Sequence, residues 1–462
     1  MSENLLSVGL DVGTTTTQLV LSRLTVKNLA GSFSVPEMEI TDREVFYRSD
    51  VCFTPLLEES LVDGQAIRRL VEKEYEKAGI SRQQVDTGAI IITGETSRKE
   101  NAAAVLEALA GFAGDFVAAT AGPDLESVLA AKGAGAVDYS LKTGRTVLHM
   151  DIGGGTSNLA FICGGQIVRT GCFNVGGRLL KMDASGRVRY VSPVLQDLTD
   201  ISVGEIPSES KIRDLTEKLA AALEMAAGLR SATSLMEHLQ THEVSAPWEI
   251  PQESLVVSFS GGVADCIETP RQAGAFGDIG GQLGQAIGRS LLCQGEYILG
   301  QETIGATVIG AGCHSACLSG STVFCKDVKL PLKNVPVAVF TEKEQEDPML
   351  ETLIARRIGE KDAQRVILAM PGYPDGDYAR VGALAEKILR GTAGKGAYVC
   401  LEADMAKALG QRLCLMMDRS APCLCIDAVR LTGESYMDIG NPVGPAFPVV
   451  IKTLVLEQRR IK

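Results

Sequence analysis

Residues Thr146 to Asn158 read T-V-L-H-M-D-I-G-G-G-T-S-N, an apolar run that breaks into three glycines followed by two hydroxyls. Val147, Met150 and Ile152 bound a short buried strand. Gly153, Gly154 and Gly155 lack a Cβ, so backbone there can turn sharply and set its N–H groups against a polyanion, with Thr156 and Ser157 as further donors. Asp151 would repel a phosphate directly, but a carboxylate at that distance suits the waters of a Mg2+ that bridges two phosphates. A tight hairpin carries the same glycines, so the stretch needs a second witness.

Leu5 to Thr17, L-L-S-V-G-L-D-V-G-T-T-T-T, is that witness: a strand, an Asp, a Gly, then hydroxyls. Strand alternation puts Gly9, Asp11 and Gly13 on one face and Val8, Leu10 and Val12 on the other, so the aspartate points away from the core. Two such turns facing each other across a cleft would hold a nucleotide's phosphates and metal from both sides. Leu255 to Asp265, L-V-V-S-F-S-G-G-V-A-D, adds a buried strand running into Gly261 and Gly262, bare backbone on which a base or ribose could lie.

In this order and spacing the three stretches resemble the motifs of the ATPases that share the actin, sugar-kinase and heat-shock-chaperone fold. Asp11-Val12-Gly13-Thr14 is similar to the first phosphate motif, Asp151 to Thr156 to the second, and Ser260-Gly261-Gly262-Val263 to the adenosine motif. The resemblance implies a two-lobed α/β fold of ribonuclease H-like subdomains that binds ATP and Mg2+. It implies that Asp11 and Asp151 hold Mg2+ through water, that Gly13, Thr14, Thr15, Gly153, Gly154, Gly155 and Thr156 meet phosphates, and that Gly261 and Gly262 receive adenosine. It further implies an acid on a connecting helix that orients the attacking water. Pro123 to Gly135, P-D-L-E-S-V-L-A-A-K-G-A-G, offers Glu126 first and Asp124 second, a solvated acidic helix start being the plain alternative for either. The second connecting helix resembles Gly305 to Gly312, G-A-T-V-I-G-A-G, whose small residues would let two helices cross closely.

The 462 residues leave room for about three domains, and 45% hydrophobic with 22% charged residues is ordinary for a soluble globular chain. A net charge of −12 without a basic stripe argues against a nucleic-acid partner. No apolar run reaches the roughly 18 residues that span a bilayer, and Met1-Ser2-Glu3-Asn4 lacks the basic region of a secretion signal. Twelve scattered cysteines read as buried thiols in a reducing, cytoplasmic setting. Cys313-His314 with Cys317, and Cys423 with Cys425, lack the second pair that a zinc site takes.

Along the chain, the patterning predicts a hairpin over Leu5 to Leu24 and a strand over Phe46 to Phe53. A helix over Ser60 to Ala78 closes at Gly79, a strand covers Ala89 to Thr93, a helix contains Ala102 to Leu109, and a strand spans Phe116 to Ala119. These make a first lobe, residues 1–145. The second, 146–330, continues with Leu159 to Cys163 and Ile167 to Phe173 joined at Gly164-Gly165. Ser208 is placed to cap a helix whose apolar face is Ile212, Leu215, Leu219, Leu223 and Ala226. Residues 331–462 form a third α/β unit without a nucleotide motif, with the charged stretch Thr341 to Asp347 as surface loop. His149, two residues before Asp151, reads as a base or a packed imidazole; the second is favoured, because phosphoryl transfer to water rests on positioning. Arg98 and Lys99 beside Glu100 could reach a phosphate, but a solvated helix start is the favoured reading.

Glu402 to Gln411, E-A-D-M-A-K-A-L-G-Q, and Tyr436 to Pro442 with Lys452 to Leu454 narrow the family, together with Thr93 to Ala102, T-G-E-T-S-R-K-E-N-A, and Gly9 to Thr17. These resemble the ethanolamine ammonia-lyase reactivating factors, over essentially the whole chain. The resemblance implies a slow, chaperone-like ATPase that binds the inactivated ethanolamine ammonia-lyase holoenzyme and uses ATP to let damaged cobalamin leave, so that intact adenosylcobalamin rebinds. It implies a cytoplasmic protein, and leaves open association with the ethanolamine-utilisation microcompartment and a homodimer. No Asp-x-His-x-x-Gly sequence supplies a histidine to cobalt. A small-molecule kinase and a filament-forming structural protein share the same motifs, but no sugar-binding polar groups stand out.

Overall fold

The computed structural model describes residues 2–13, 16–29, 38–50, 52–58, 61–93, 105, 117–120, 123–241, 255–269, 277–300, 303–314, 316–320, 322–361, 363–374, 377–429 and 435–453. The first hairpin, β1 (Ser2–Val12) and β2 (Thr16–Asn28), is longer at both ends than predicted. β3 (Met38–Arg48) and β4 (Cys52–Phe53) replace the single strand expected over Phe46 to Phe53, and β5 (Leu56–Glu58) pairs with β6 (Leu61–Val62). α1 (Gly64–Ala78) starts later than Ser60 because Asp63 is its cap, accepting from the N–H groups of Gln65 and Ala66. β7 (Thr87–Ile92) and β8 (Val117–Thr120) complete a sheet of order β3-β2-β1-β7-β8, with β4 against β2. The helix expected over Ala102 to Leu109 lies, Val105 aside, outside the described residues, as do Arg98 and Lys99.

α2 (Pro123–Gly133) and α3 (Ala136–Thr143) lead into β9 (Thr146–Ile152), β10 (Ser157–Cys163) and β11 (Gln166–Phe173). Gly164 and Gly165 turn the β10–β11 hairpin with φ of 57° and 75°, as a tight turn of that hand requires. A side hairpin, β12 (Leu180–Met182) and β13 (Val188–Val191), precedes α4 (Glu209–Ala226), which Ser208 caps as predicted. α5 (Ser234–Leu239), β14 (Leu255–Ser260), α6 (Asp265–Glu268), α7 (Gly280–Arg289) and β15 (Tyr297–Leu299) follow. The second sheet has the order β11-β10-β9-β14-β15. In both sheets three antiparallel strands are extended by two that run parallel to the first. One topology is built twice, which is the two-lobed, ribonuclease H-like arrangement of the actin-like ATPases.

In the first lobe Val8, Leu10 and Val12 pack with Ile67 and Val71 of α1. The opposite face, which carries Asp11, is apolar too: Ala89 and Ile91 lie under Val308 and Ile309 of α8 (Ala306–His314). Asp11 therefore does not face away from a core, as strand alternation alone suggests; it stays partly accessible because it sits at the end of its strand. In the second lobe Val147, Ala160 and Ile162 face Ala131 of α2. α8 thus lies on the first sheet, α2 on the second, and the two helices cross between the lobes. A Cβ on Gly133 would lie 1.9 Å from the Ala306 carbonyl oxygen, and one on Gly310 2.0 Å from that of Leu129. Small residues make this crossing, as the sequence predicted.

The last unit is an eight-stranded sheet. Its elements are β16 (Ala316–Leu318), β17 (Phe324–Lys326), β18 (Leu332–Val339), α9 (Glu342–Gln345), α10 (Leu350–Glu360), β19 (Ile367–Met370), α11 (Tyr378–Gly391), β20 (Ala397–Leu401), α12 (Ala406–Met416), β21 (Cys423–Ile426), β22 (Ser435–Ile439) and β23 (Pro448–Thr453). Their order, β16-β23-β22-β18-β19-β20-β21-β17, draws in two strands that precede residue 331. The loop expected over Thr341 to Asp347 contains α9 instead. The Thr341 hydroxyl accepts from the Glu344 N–H and the Glu344 carboxylate accepts from the Thr341 N–H, a reciprocal cap. Val443 and Val450 join Leu5 and Val20 in one apolar cluster, which seats this sheet on the first lobe. Among the described residues no helix is long and apolar enough to cross a membrane, and no group of three His, Cys, Asp or Glu side chains could hold a metal.

Candidate functional site

The first hairpin of each lobe ends in the same turn. The Gly13 N–H donates to the Thr16 carbonyl at 2.9 Å and the Gly153 N–H to the Thr156 carbonyl at 3.0 Å. Asp11 pairs across its hairpin with Gln18, and Asp151 with Asn158. Both turns open into one cleft of about 700 Å3, and Asp11, Gly13, Glu126, Asp151, Gly153, Gly154, Gly155, Thr156, Gly261 and Gly262 all line it. Thr14 and Thr15 lie outside the described residues.

Asp11 accepts from the Thr93 hydroxyl at 2.8 Å. Burial pushes its carboxyl up to about 7; the Thr93 bond opposes this, while the charges of Glu126 and Asp151 add to it. Asp151 accepts from the Ser260 hydroxyl at 2.5 Å and from the Thr307 hydroxyl at 3.4 Å, and burial raises it as well. Glu126 and Asp151 thus act by charge on Asp11, and all three line the cleft. The one cation among the described lining residues, Arg178, is paired with Asp278 at 3.4 Å. Asp11 and Asp151 with their neighbouring hydroxyls make no direct metal cage, but two carboxylates short of positive charge suit a hard divalent ion such as Mg2+ held through water.

The two helices contribute across the lobes. Thr307 belongs to α8, which packs on the first sheet, yet it reaches Asp151 of the second. Glu126 belongs to α2, which packs on the second sheet, yet its charge acts on Asp11 of the first. Its buried carboxylate accepts from the Asn158 amide at 2.7 Å. Asp124, the alternative acid, accepts from the Thr170 hydroxyl at 2.6 Å and does not line the cleft.

Gly261 and Gly262 differ in kind. Gly261 has φ +87°, and a Cβ there would lie 2.3 Å from the Ile152 carbonyl oxygen, so close strand packing demands the glycine. A Cβ on Gly262 or Gly155 would meet nothing within 4 Å, because the space beside each is the cleft. His149 is the packed imidazole of the two readings: it is fully buried, bonded to Ser258 and Ser260 at 3.0 Å each, and pushed down to about 3 by burial. It steadies the hydroxyl that holds Asp151.

Sequence reading did not single out Thr93, Thr307, Asn158, or the pair Arg178 and Asp278. Ser260 was inside the quoted glycine motif, but its bond to Asp151 depends on β14 lying beside β9 with the two residues opposite one another. Asn158 closed the central stretch and was the one partner whose pairing with Asp151 a hairpin register could have foretold.

Two lobes of repeated topology around an acid- and glycine-lined cleft define an actin-like ATPase fold. The family model for ethanolamine utilisation protein EutA matches residues 3–457, and the chain belongs to that family. The ethanolamine ammonia-lyase reactivase EutA of Salmonella typhimurium (strain LT2) is 37% identical over 473 aligned positions, which cover 98% of this chain and 99% of that protein. Its counterpart in Escherichia coli (strain K12) is 36% identical over 468 positions, with 98% and 99% covered. Among solved structures, ethanolamine utilization protein EutJ from Carboxydothermus hydrogenoformans matches at 17% identity over 66% of this chain and 88% of that one, with a TM-score of 0.33.

Proposed function

We propose that this chain is a reactivase of ethanolamine ammonia-lyase: a cytoplasmic, chaperone-like ATPase that opens the inactivated holoenzyme so that damaged cobalamin leaves and intact adenosylcobalamin rebinds. The reading is carried by the full-length likeness to two curated reactivases, in a chain whose separated phosphate turns line one cleft. ATP is the ligand of that cleft. The Gly13 and Gly153 N–H groups close their own turns, so the phosphates fall to the backbone of Gly154 and Gly155 and to Thr156, and, by the likeness of the first motif, to Thr14 and Thr15. Gly262 receives the adenosine beside Gly261. Asp11 and Asp151 would hold Mg2+ through water, and the ion would supply positive charge against that of the phosphates. Glu126, fixed by Asn158, orients the attacking water.

The coupling follows from which helix belongs to which lobe. Both turns grip one triphosphate and draw the lobes together about the crossing of α2 and α8; loss of the γ-phosphate contacts lets them part. Work on the lyase requires that the two states bind it with different affinity. The deciding assay mixes lyase inactivated in turnover with this chain, ATP, Mg2+ and fresh adenosylcobalamin. Lyase activity should return. Absence of recovery, or equal recovery without ATP, would remove the proposal.

A further inference from the structure

Between the phosphate turn of the second lobe and the start of α7 stands a side chain that no motif assigns. Arg178 follows Gly176 and Gly177, where a Cβ would meet the Gly154 carbonyl oxygen at 2.4 Å and Gly280 Cα at 2.7 Å, respectively. Two backbone bonds fix it against the turn: Gly177 N–H to the Gly153 carbonyl at 3.1 Å, and Arg178 N–H to the Gly154 carbonyl at 2.6 Å. Its stem lies across Gly154, where an added methyl would come within 3.1 Å of Arg178 Cδ. Its Nε faces Asp278 Oδ2 at 3.4 Å, and Asp278 Oδ1 accepts from the Gly280 N–H at 2.8 Å. That long contact engages one of the five donors of the guanidinium fork. The side chain is 27% exposed and lines the cleft, whereas that of Asp278 is 9% exposed.

The position along the cleft decides what Arg178 can touch. Gly154 marks the phosphate end. Val263, which follows Gly262 and lies 3.5 Å from a Cβ placed on Gly177, marks the nucleoside end. Arg178 spans the joint between the two, where the phosphates nearest the nucleoside must pass.

We propose that Arg178 binds the α,β-diphosphate that ATP and ADP share, and that Asp278 holds its guanidinium while the cleft is free of nucleotide. The proposal rests on the nucleotide reading above. An arriving diphosphate exchanges one long carboxylate contact for a planar fork on phosphate oxygens, the geometry in which arginine binds most strongly. Asp278 keeps the Gly280 N–H as its partner, so its release leaves no orphaned carboxylate.

Titration calorimetry of the full chain with ADP, and with adenosine as the phosphate-free reference, tests this. Arg178→Gln keeps the stem over Gly154 and should weaken ADP about tenfold or more, as loss of a charge-assisted bond does, without lowering adenosine affinity in step. Asp278→Asn keeps the shape and the acceptor for Gly280, and should tighten ADP by about twofold to fivefold, the worth of a partly exposed ion pair. An equal fall for ADP and adenosine in Arg178→Gln, no fall in either, or weaker ADP binding in Asp278→Asn would each overturn the proposal. Failure of the unaltered chain to bind ADP would instead overturn the nucleotide reading itself.

Discussion

Asp11 and Asp151 occupy the same place in duplicated turns, and each is held by a hydroxyl from the neighbouring strand or the residue after it: Thr93 for the first, Ser260 for the second. Asp11→Asn and Asp151→Asn should each abolish ATP turnover, read as phosphate release, and leave the thermal transition in place; unaltered turnover in both variants would remove the metal assignment. Glu126→Gln keeps a group the size of the carboxylate beside Asn158 and should slow turnover by about 100-fold or more with ATP affinity retained. If affinity drops while the rate stays, Glu126 supports the fold rather than the water. The two glycines after β14 should separate fold from site. Gly261→Ala forces a side chain into left-handed backbone and against Ile152, and should cost about 1–3 kcal/mol or more in urea unfolding. Gly262→Ala meets open space, and should leave the unfolding midpoint unchanged while weakening nucleotide binding. Reversal of that pattern would move the nucleoside end elsewhere.

At the scale of elements, Glu126, whose charge acts on Asp11, and Thr307, which donates to Asp151, both ride on the crossing of α2 and α8. Gly310→Ala places a methyl 2.0 Å from the Leu129 carbonyl oxygen, so the helices must separate. We expect a loss of about 1–3 kcal/mol of stability together with slower ATP turnover. Gly359→Ala is the matched control: a Cβ there meets nothing within 4 Å, and relief of glycine's backbone entropy in α10 should stabilise by about 0.5–1 kcal/mol. Equal behaviour of the two variants would mean that the crossing tolerates expansion. The glycines of the second connecting helix were visible in the sequence because close packing demands small residues at helical spacing. The sheet packed beneath α8 was not, because the face of β1 that carries Asp11 reads as polar until Val308 and Ile309 are brought onto it.

At the scale of the molecule, the cleft lies between lobes that touch at that crossing, and the third sheet is seated on the first lobe through Val443, Val450 and Leu318. A non-hydrolysable ATP analogue with Mg2+ should therefore shrink the radius of gyration measured by small-angle scattering. ADP should restore it, and Asp11→Asn should show no change with either. A radius unchanged by any nucleotide in the unaltered chain would leave lobe closure without support.

The amino-acid sequence by itself determined the two acidic turns, the glycine pair after β14 and most of the strands and helices, and the resemblance of its three motifs implied the class of fold. These are local properties: alternation along a strand, backbone freedom without a Cβ, and caps within reach of their own helix. Thr341 to Asp347 shows the limit even there, since a charged run hid the reciprocal cap that makes α9. Only the tertiary structure decided that both turns share one cleft, that Glu126 rather than Asp124 enters it, that Thr93, Ser260 and Thr307 hold the aspartates, and that Arg178 faces Asp278. Those contacts join residues far apart in the chain, so they are set by strand order and by the angle at which two helices cross, and no periodicity within a segment encodes either.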